Sequence, residues 1–199
     1  MSEDAKENIL NAAEKEFSSK GFDGARVDQI ARVAGVNKAL IYYYFKSKKE
    51  LLKALYVRLV ESGFKSLDLE ALGASDTEEG EELTHLALHR ILNFLGRHRD
   101  ILRIVFMESL KGDEQNMLLD LADYYMKAAE GDFKEYVGDV DKKQFVITEI
   151  FTALMPMISY VLLKDEIQGR MSITPEDMDH YFMNSMKETH FQSHKNVRN

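Results

Sequence analysis

The chain has 199 residues, of which 45% are hydrophobic, and a formal net charge of −8. It contains no cysteine, which excludes a disulfide framework, a thiolate metal site and a cysteine nucleophile. The length suits one large domain or a small domain beside a larger one. The only prolines are Pro156 and Pro175, so most of the chain is open to uninterrupted helix. The first residues, MSEDAKENIL, are charged and lack an apolar secretory core, so a cytoplasmic protein is expected.

The negative charge is unevenly placed. Residues 1–64 carry 11 Lys/Arg against 9 Asp/Glu, whereas residues 65–199 carry 15 against 25. Within 26–58, eight basic residues stand against Asp28 and Glu50. A basic patch on an acidic body suits a protein that meets a polyanion at one end; an ordinary solvated surface is the alternative.

In chain order, residues 4–20 read as an amphipathic helix, with Ile9, Ala13 and Phe17 one turn apart. Gly21 and Gly24 then interrupt it. Val27, Ile30, Ala31 and Ala34 repeat at helical spacing up to Gly35, where the chain must reverse and a left-handed backbone favours glycine. Asn37 is a good N-cap for a helix over 38–45. There Ile41 and Phe45 should face inward. Tyr42, Tyr43 and Tyr44 step by about 100° each, so the core cannot take all three phenols. Ser47-Lys48-Lys49-Glu50 reads as a capping box, with Ser47 and Glu50 each satisfying a backbone N–H of a helix running to about Phe64. The lysines around that helix start suit a phosphate.

Residues 66–82 are acidic and read as a loop. Helices are then expected over 83–97, on Leu83, Leu86, Ala87, Ile91, Phe94 and Leu95, over 101–111 and over 114–136. Residues 145–163 are the most apolar run. Glu149 inside it, with Thr148, Thr152 and Ser159, argues against a membrane span, which leaves a helix covered on both faces. Thr174 as N-cap, Pro175 at the first position and acids in the first turn begin the last helix. No strand or internal repeat is evident, so the fold class expected is all-α.

Residues 4–63, and 20–52 most of all, resemble the N-terminal domain of the tetracycline-repressor-like (TetR) transcriptional regulators. The resemblance rests on GFDGARVDQIA, the turn AGV, then NKALIYYYF and KSKKELL, spaced without gaps. It implies a three-helix helix-turn-helix DNA-binding domain over 1–64 and a helical ligand-binding and dimerisation domain over 65–199. It also implies a homodimer on a palindromic double-stranded DNA operator, most simply a ligand-responsive repressor. Helix 38–44 would enter the major groove with Lys38, Ala39, Leu40 and Tyr43 nearest the bases. Tyr42, Tyr44 and Lys48 would hold phosphates, as would the start of helix 27–34 at Arg26 and Val27. Arg26 and Leu40 depart from the family, which usually has Thr or Ser at the second helix's start and Thr or Ser where Leu40 stands.

The resemblance further implies a four-helix dimer interface, for which Ile150, Leu154, Ile158, Met178, Tyr181, Phe182 and Met186 are candidates. Phe94, Phe106, Met107, Tyr125, Met126, Phe151, Met155 and Tyr160 are candidates to line an apolar pocket for a small hydrophobic or aromatic effector. No enzyme activity, cofactor or metal is expected. His85 and His89, at i, i+4, are the one pair that keeps a metal-dependent rival open, and an interaction scaffold with a degenerate helix-turn-helix is the other.

Overall fold

The computed structural model describes residues 2–65, 78–112, 116–118, 120 and 141–191. Every regular element among them is helical. The helix expected over 114–136, with Tyr125 and Met126, lies almost entirely outside the described residues.

Two compact units divide the chain, one formed by residues 1–65 with 98–118, the other by 66–97 with 119–199. The first holds α1 (Ser2–Gly24), α2 (Val27–Ala34), α3 (Lys38–Phe45), α4 (Lys48–Lys65) and α6 (Arg99–Ser109). Helix α1 kinks at Gly21, where φ is 69° and ψ 176°. It packs on α2, α4 and α6; α3 bridges α2 and α4. Their common core is Ile9, Ala13, Phe17, Ile30, Ile41, Phe45, Leu51, Leu52, Leu55, Ile101 and Val105, all buried. These are the positions that helical spacing puts on one face of each segment. Arg58 ties the outer layer together. It donates to Glu7 and Glu14 on α1 at 2.5 and 2.8 Å and to Asn11 at 2.8 Å. Glu14 also meets His98 Nδ1, at the head of α6, at 2.9 Å.

The second unit holds α5 (Glu78–Arg97), α7 (Lys142–Thr148), a π-helical turn (Glu149–Leu154), α8 (Met155–Met171) and α9 (Pro175–Met186), which ends in another π-helical turn (Lys187–Phe191). Helix α5 starts earlier than its apolar pattern indicated, and its buried face is rotated. Thr84, Ala87, Leu88 and Leu92 are buried, whereas Leu83 and Leu86 are exposed. Thr174 caps α9 as expected, accepting from Asp177 N at 3.1 Å.

The expected helix over 145–163 is part of a longer one, Lys142–Met171, long and apolar enough to cross a membrane by length and composition. The π turn inside it has a local cause. Pro156 has no N–H to give the Thr152 carbonyl, and its ring crowds that carbonyl. The Thr152 hydroxyl meanwhile donates to Thr148 O at 2.7 Å. The backbone widens just before the proline, with the Met155 N–H reaching Ile150 O.

Widening keeps positions four apart on one face. Ile147, Phe151, Ser159 and Leu163 are all exposed, Phe151 at 66%. Leu154 and Ile158, expected at a partner interface, are buried inside the unit, as is Met186 on α9. Ile150, Met178 and Phe182 are half-buried, and Tyr181 is exposed. Among the expected pocket residues, Phe106 and Met107 belong to α6 in the first unit, and Met107 and Phe151 are exposed. Tyr160 is buried, stacks on Phe182 with ring centroids 4.1 Å apart, and donates its hydroxyl to Asp179. Burial, then the hydrogen bond to Asp179, pushes its phenol far above the usual tyrosine range. Tyr160 thus pins α8 to α9, with its one phenolic donor used by Asp179.

Candidate nucleic-acid interface

The segment from Arg26 to Lys48 is built by turn chemistry that is local in sequence. Arg26 takes the N-cap position of α2 with an extended backbone and no side-chain cap. Its own N–H donates to Glu16 on α1 at 3.2 Å, and its guanidinium has no partner among the described residues. Gly35 ends α2 at φ 68° and ψ 29°. The Val36 N–H reaches back to Ala31 O at 3.0 Å and the Gly35 N–H to Arg32 O at 3.3 Å, which closes the free carbonyls of the helix end. A Cβ at residue 35 would meet nothing within 4 Å, so glycine is needed there for its backbone angle and not for space. Asn37 then caps α3, its Oδ1 accepting from Leu40 N at 2.8 Å.

Helix α3 buries only Ile41 and Phe45. Lys38, Ala39, Tyr42 and Tyr43 share the outward face, with Tyr43 77% exposed, the most open of the three tyrosines. Leu40 and Tyr44 are half-buried, and Val27 is buried at the start of α2. The Tyr43 and Tyr44 rings meet edge to face at 5.4 Å. Lys38 pairs with Asp28 at 2.9 Å and stands 6.0 Å from the Tyr42 ring centre. The hydrogen bond to Asp28, then its charge, holds the lysine pKa above the ordinary value, so the ammonium is fully charged at neutral pH.

Helices α3 and α4 are joined by a tight turn at Lys46, where φ is 56° and ψ −38°. The Ser47 N–H donates to Phe45 O at 2.5 Å, closing a γ-turn of the positive-φ kind. That bond uses the N–H expected to receive Glu50, so only half of the capping box forms: Ser47 Oγ accepts from Glu50 N at 3.0 Å.

Lys48 has a place that residue type and spacing did not suggest. Its Nζ donates to the carbonyls of Phe22 and Ala25, at 2.6 and 3.2 Å, approaches Asp23 O at 3.4 Å, and lies 4.6 Å from the Phe22 ring centre. An ammonium has three donors, and here they face main-chain oxygens at the end of α1. Arg58, counted with the basic run from sequence, is likewise held by Glu7 and Glu14. The cations that remain on the surface near α3 are Arg26, Arg32, Lys38 and Lys46.

His85 and His89 stack edge to face, ring centroids 4.5 Å apart, but no group of three metal-ligating side chains forms among the described residues. The exposed face of α3 is therefore the site that the chain presents most clearly: a helix N-terminus, a lysine, a small apolar residue and two phenols, beside surface arginines.

Comparison with known proteins agrees. Residues 9–55 match the sequence model of "Bacterial regulatory proteins, tetR family". YttP of Bacillus subtilis, named as an HTH-type transcriptional regulator, is 29% identical over 148 residues, 74% of this chain and 70% of YttP. The HTH-type transcriptional repressor NicS of Pseudomonas putida is 34% identical over 106 residues. That alignment covers 53% of this chain and 48% of NicS, so the match spans only about half of that relative's length. The crystal structure of a TetR-like transcriptional regulator from Rhodococcus sp. RHA1 has the same fold, with a TM-score of 0.57 at 19% identity over 92% of this chain and 93% of the other. Residues 9–55 carry the sequence pattern of the tetR family of bacterial regulatory proteins, and the chain shares the fold of TetR-like regulators.

Proposed function

We infer that this chain is a DNA-binding transcriptional regulator that acts in the cytoplasm as a homodimer on a palindromic operator, and that it represses until a small effector binds. The observation that carries the reading is the outward face of α3, which keeps Lys38, Ala39, Tyr42 and Tyr43 out of the core on a helix otherwise anchored by Ile41 and Phe45. A helix of this size fits the major groove. Lysine can read guanine, and Ala39 and Leu40 can meet a thymine methyl. Tyr42, Tyr43 and Tyr44 can donate phenol hydroxyls, and Arg26 offers a guanidinium to the backbone. Lys38 must exchange Asp28 for a base or phosphate on binding. Lys48 supports the interface from behind, by fixing the α1–α2 corner against α4.

Dimerisation is assigned to the exposed stripe of the long helix, Ile147, Phe151 and Leu163, with Tyr181 on α9. A second copy covers an apolar face of this kind more readily than water does. The four residues replace Leu154, Ile158 and Met186 as contact candidates, because those three already serve the protomer's own core.

Fluorescence anisotropy on a labelled duplex across a salt series tests the reading. Binding should weaken steeply with salt, because phosphate contacts release counterions. Tyr42→Phe and Arg26→Ala should weaken binding to all sequences alike, with a shallower salt slope for Arg26→Ala. Binding that ignores salt would instead support a scaffold with a degenerate helix-turn-helix.

A further inference from the structure

The second unit contains an open cavity of about 570 Å³ whose described lining is Arg90, Asn93, Phe94 and Arg97, all on α5. We propose that this cavity binds an organic anion, an apolar or aromatic body bearing a carboxylate, phosphate or sulfonate that Arg90 and Arg97 grip. The proposal rests on the reading of the chain as an effector-responsive regulator and assigns that effector's chemical class.

Three observations support it. Arg90, Phe94 and Arg97 fall at i, i+4 and i+7, so one stripe of the helix presents guanidinium, ring and guanidinium over about 10 Å. Asn93, at i+3 from Arg90, adds an amide to the same face. Secondly, neither guanidinium has a hydrogen-bond or ion-pair partner among the described residues. This is unexpected where acids are so abundant: residues 65–199 hold 25 Asp/Glu against 15 Lys/Arg. Arg103 and Arg170, by contrast, each pair with a carboxylate three or four residues away. Arg90 and Arg97 are exposed to solvent, and two unpaired forks lining one cavity leave a site for a carboxylate or phosphate, which arginine takes in bidentate fashion. Thirdly, the ring of Phe94 lies between them in the stripe, so the charged group has an apolar neighbour to hold the rest of the molecule.

The sequence-based expectation was an apolar pocket. Of its eight candidates, only Phe94 lines this cavity among the described residues. The inference is a change of ligand chemistry, from neutral and hydrophobic to amphiphilic and anionic.

The test compares two probes with similar fused-ring bodies and opposite expectations. 8-Anilinonaphthalene-1-sulfonate carries a sulfonate, and N-phenyl-1-naphthylamine is its neutral relative. Each is titrated by fluorescence into the full-length protein. The sulfonate should bind at least about tenfold more tightly than the neutral probe, the order expected for one charge-assisted contact. Arg90→Gln and Arg97→Gln should each cost about tenfold in sulfonate affinity and change neutral-probe affinity less than about twofold. Arg90→Lys, which keeps the charge and loses the fork, should fall between. Equal affinity for the two probes, or sulfonate affinity unchanged in both glutamine variants with native helix content, overturns the proposal. Duplex binding is measured on the same samples. Wild-type protein that binds no duplex fails the regulator reading and leaves the probe comparison standing. Duplex binding without arginine-dependent sulfonate binding does the reverse.

Discussion

Replacing Lys48 by methionine separates a brace from a phosphate contact. Methionine keeps most of the aliphatic stem, so the change removes mainly the ammonium. That ammonium makes one short hydrogen bond, to Phe22 O at 2.6 Å, and a second to Ala25 O at 3.2 Å. The 3.4 Å approach to Asp23 O is too long to count for much. A hydrogen bond from a charged donor is worth about 1.5–3 kcal/mol when the acceptor is left without a substitute. The site is partly open, so water can reach the carbonyls, and the lower end applies to the short bond and less to the longer one. The contact with the Phe22 ring adds about 0.5 kcal/mol. Lys48→Met should therefore destabilise the first unit by about 2 kcal/mol. Urea unfolding followed by circular dichroism reads this directly, as a lower midpoint at unchanged slope. Duplex affinity at a temperature where the variant remains folded should fall little, with an unchanged salt slope. Unaltered stability together with a salt slope reduced by about one would show that the ammonium meets a phosphate and refute the brace.

Arg58→Met should cost about 2 kcal/mol, because it removes the guanidinium shared by Glu7 and Glu14 and leaves Glu14 only His98; thermal or urea unfolding measures it, and Glu14→Gln in the same background should cost less than it does alone. Lys46→Gly should stabilise the chain by roughly 0.5 kcal/mol, the relief of a positive-φ side chain exceeding the added freedom of the unfolded glycine, while weakening duplex binding through the lost charge. His85 is held below its ordinary pKa of 6.5 by burial first and then by His89 and His180. A folded-state value below the unfolded one means that the unfolded chain binds the proton more readily. Stability from this group is therefore complete above pH 6.5 and declines as pH falls from there toward the folded value. His85→Gln should flatten that decline in urea midpoints measured on either side of pH 6.5.

What could be read in the sequence was local. Gly35, Asn37 and Ser47 act on neighbours two to five residues away, so their roles follow from residue type and spacing. The inward pair Ile41 and Phe45, and the consequent exposure of Tyr43, follow from helical geometry alone. What could not be read depends on distant partners or on phase. The main-chain contacts of Lys48 could not be read because its acceptors lie 23 to 26 residues earlier in the chain. The buried face of Lys142–Met171 was not legible because a run apolar on almost every side has no strong phase of its own, and the π turn before Pro156 alters the phase further. Pro156 was the available signal. Arg90 and Arg97 passed unnoticed for a similar reason: lone arginines on an acidic body look paired until the structure shows otherwise.

Sequence reading by α3 is tested most directly by selecting bound duplexes from a random pool with the wild-type protein and with Lys38→Ala and Leu40→Ala. Wild-type protein should enrich an inverted repeat whose half-sites are centred about one DNA turn apart, ~34–36 Å, or slightly more, and the two variants should change the preferred bases within each half-site. No enriched sequence, or the same half-site from all three proteins, would contradict the assignment of α3 as the reading helix.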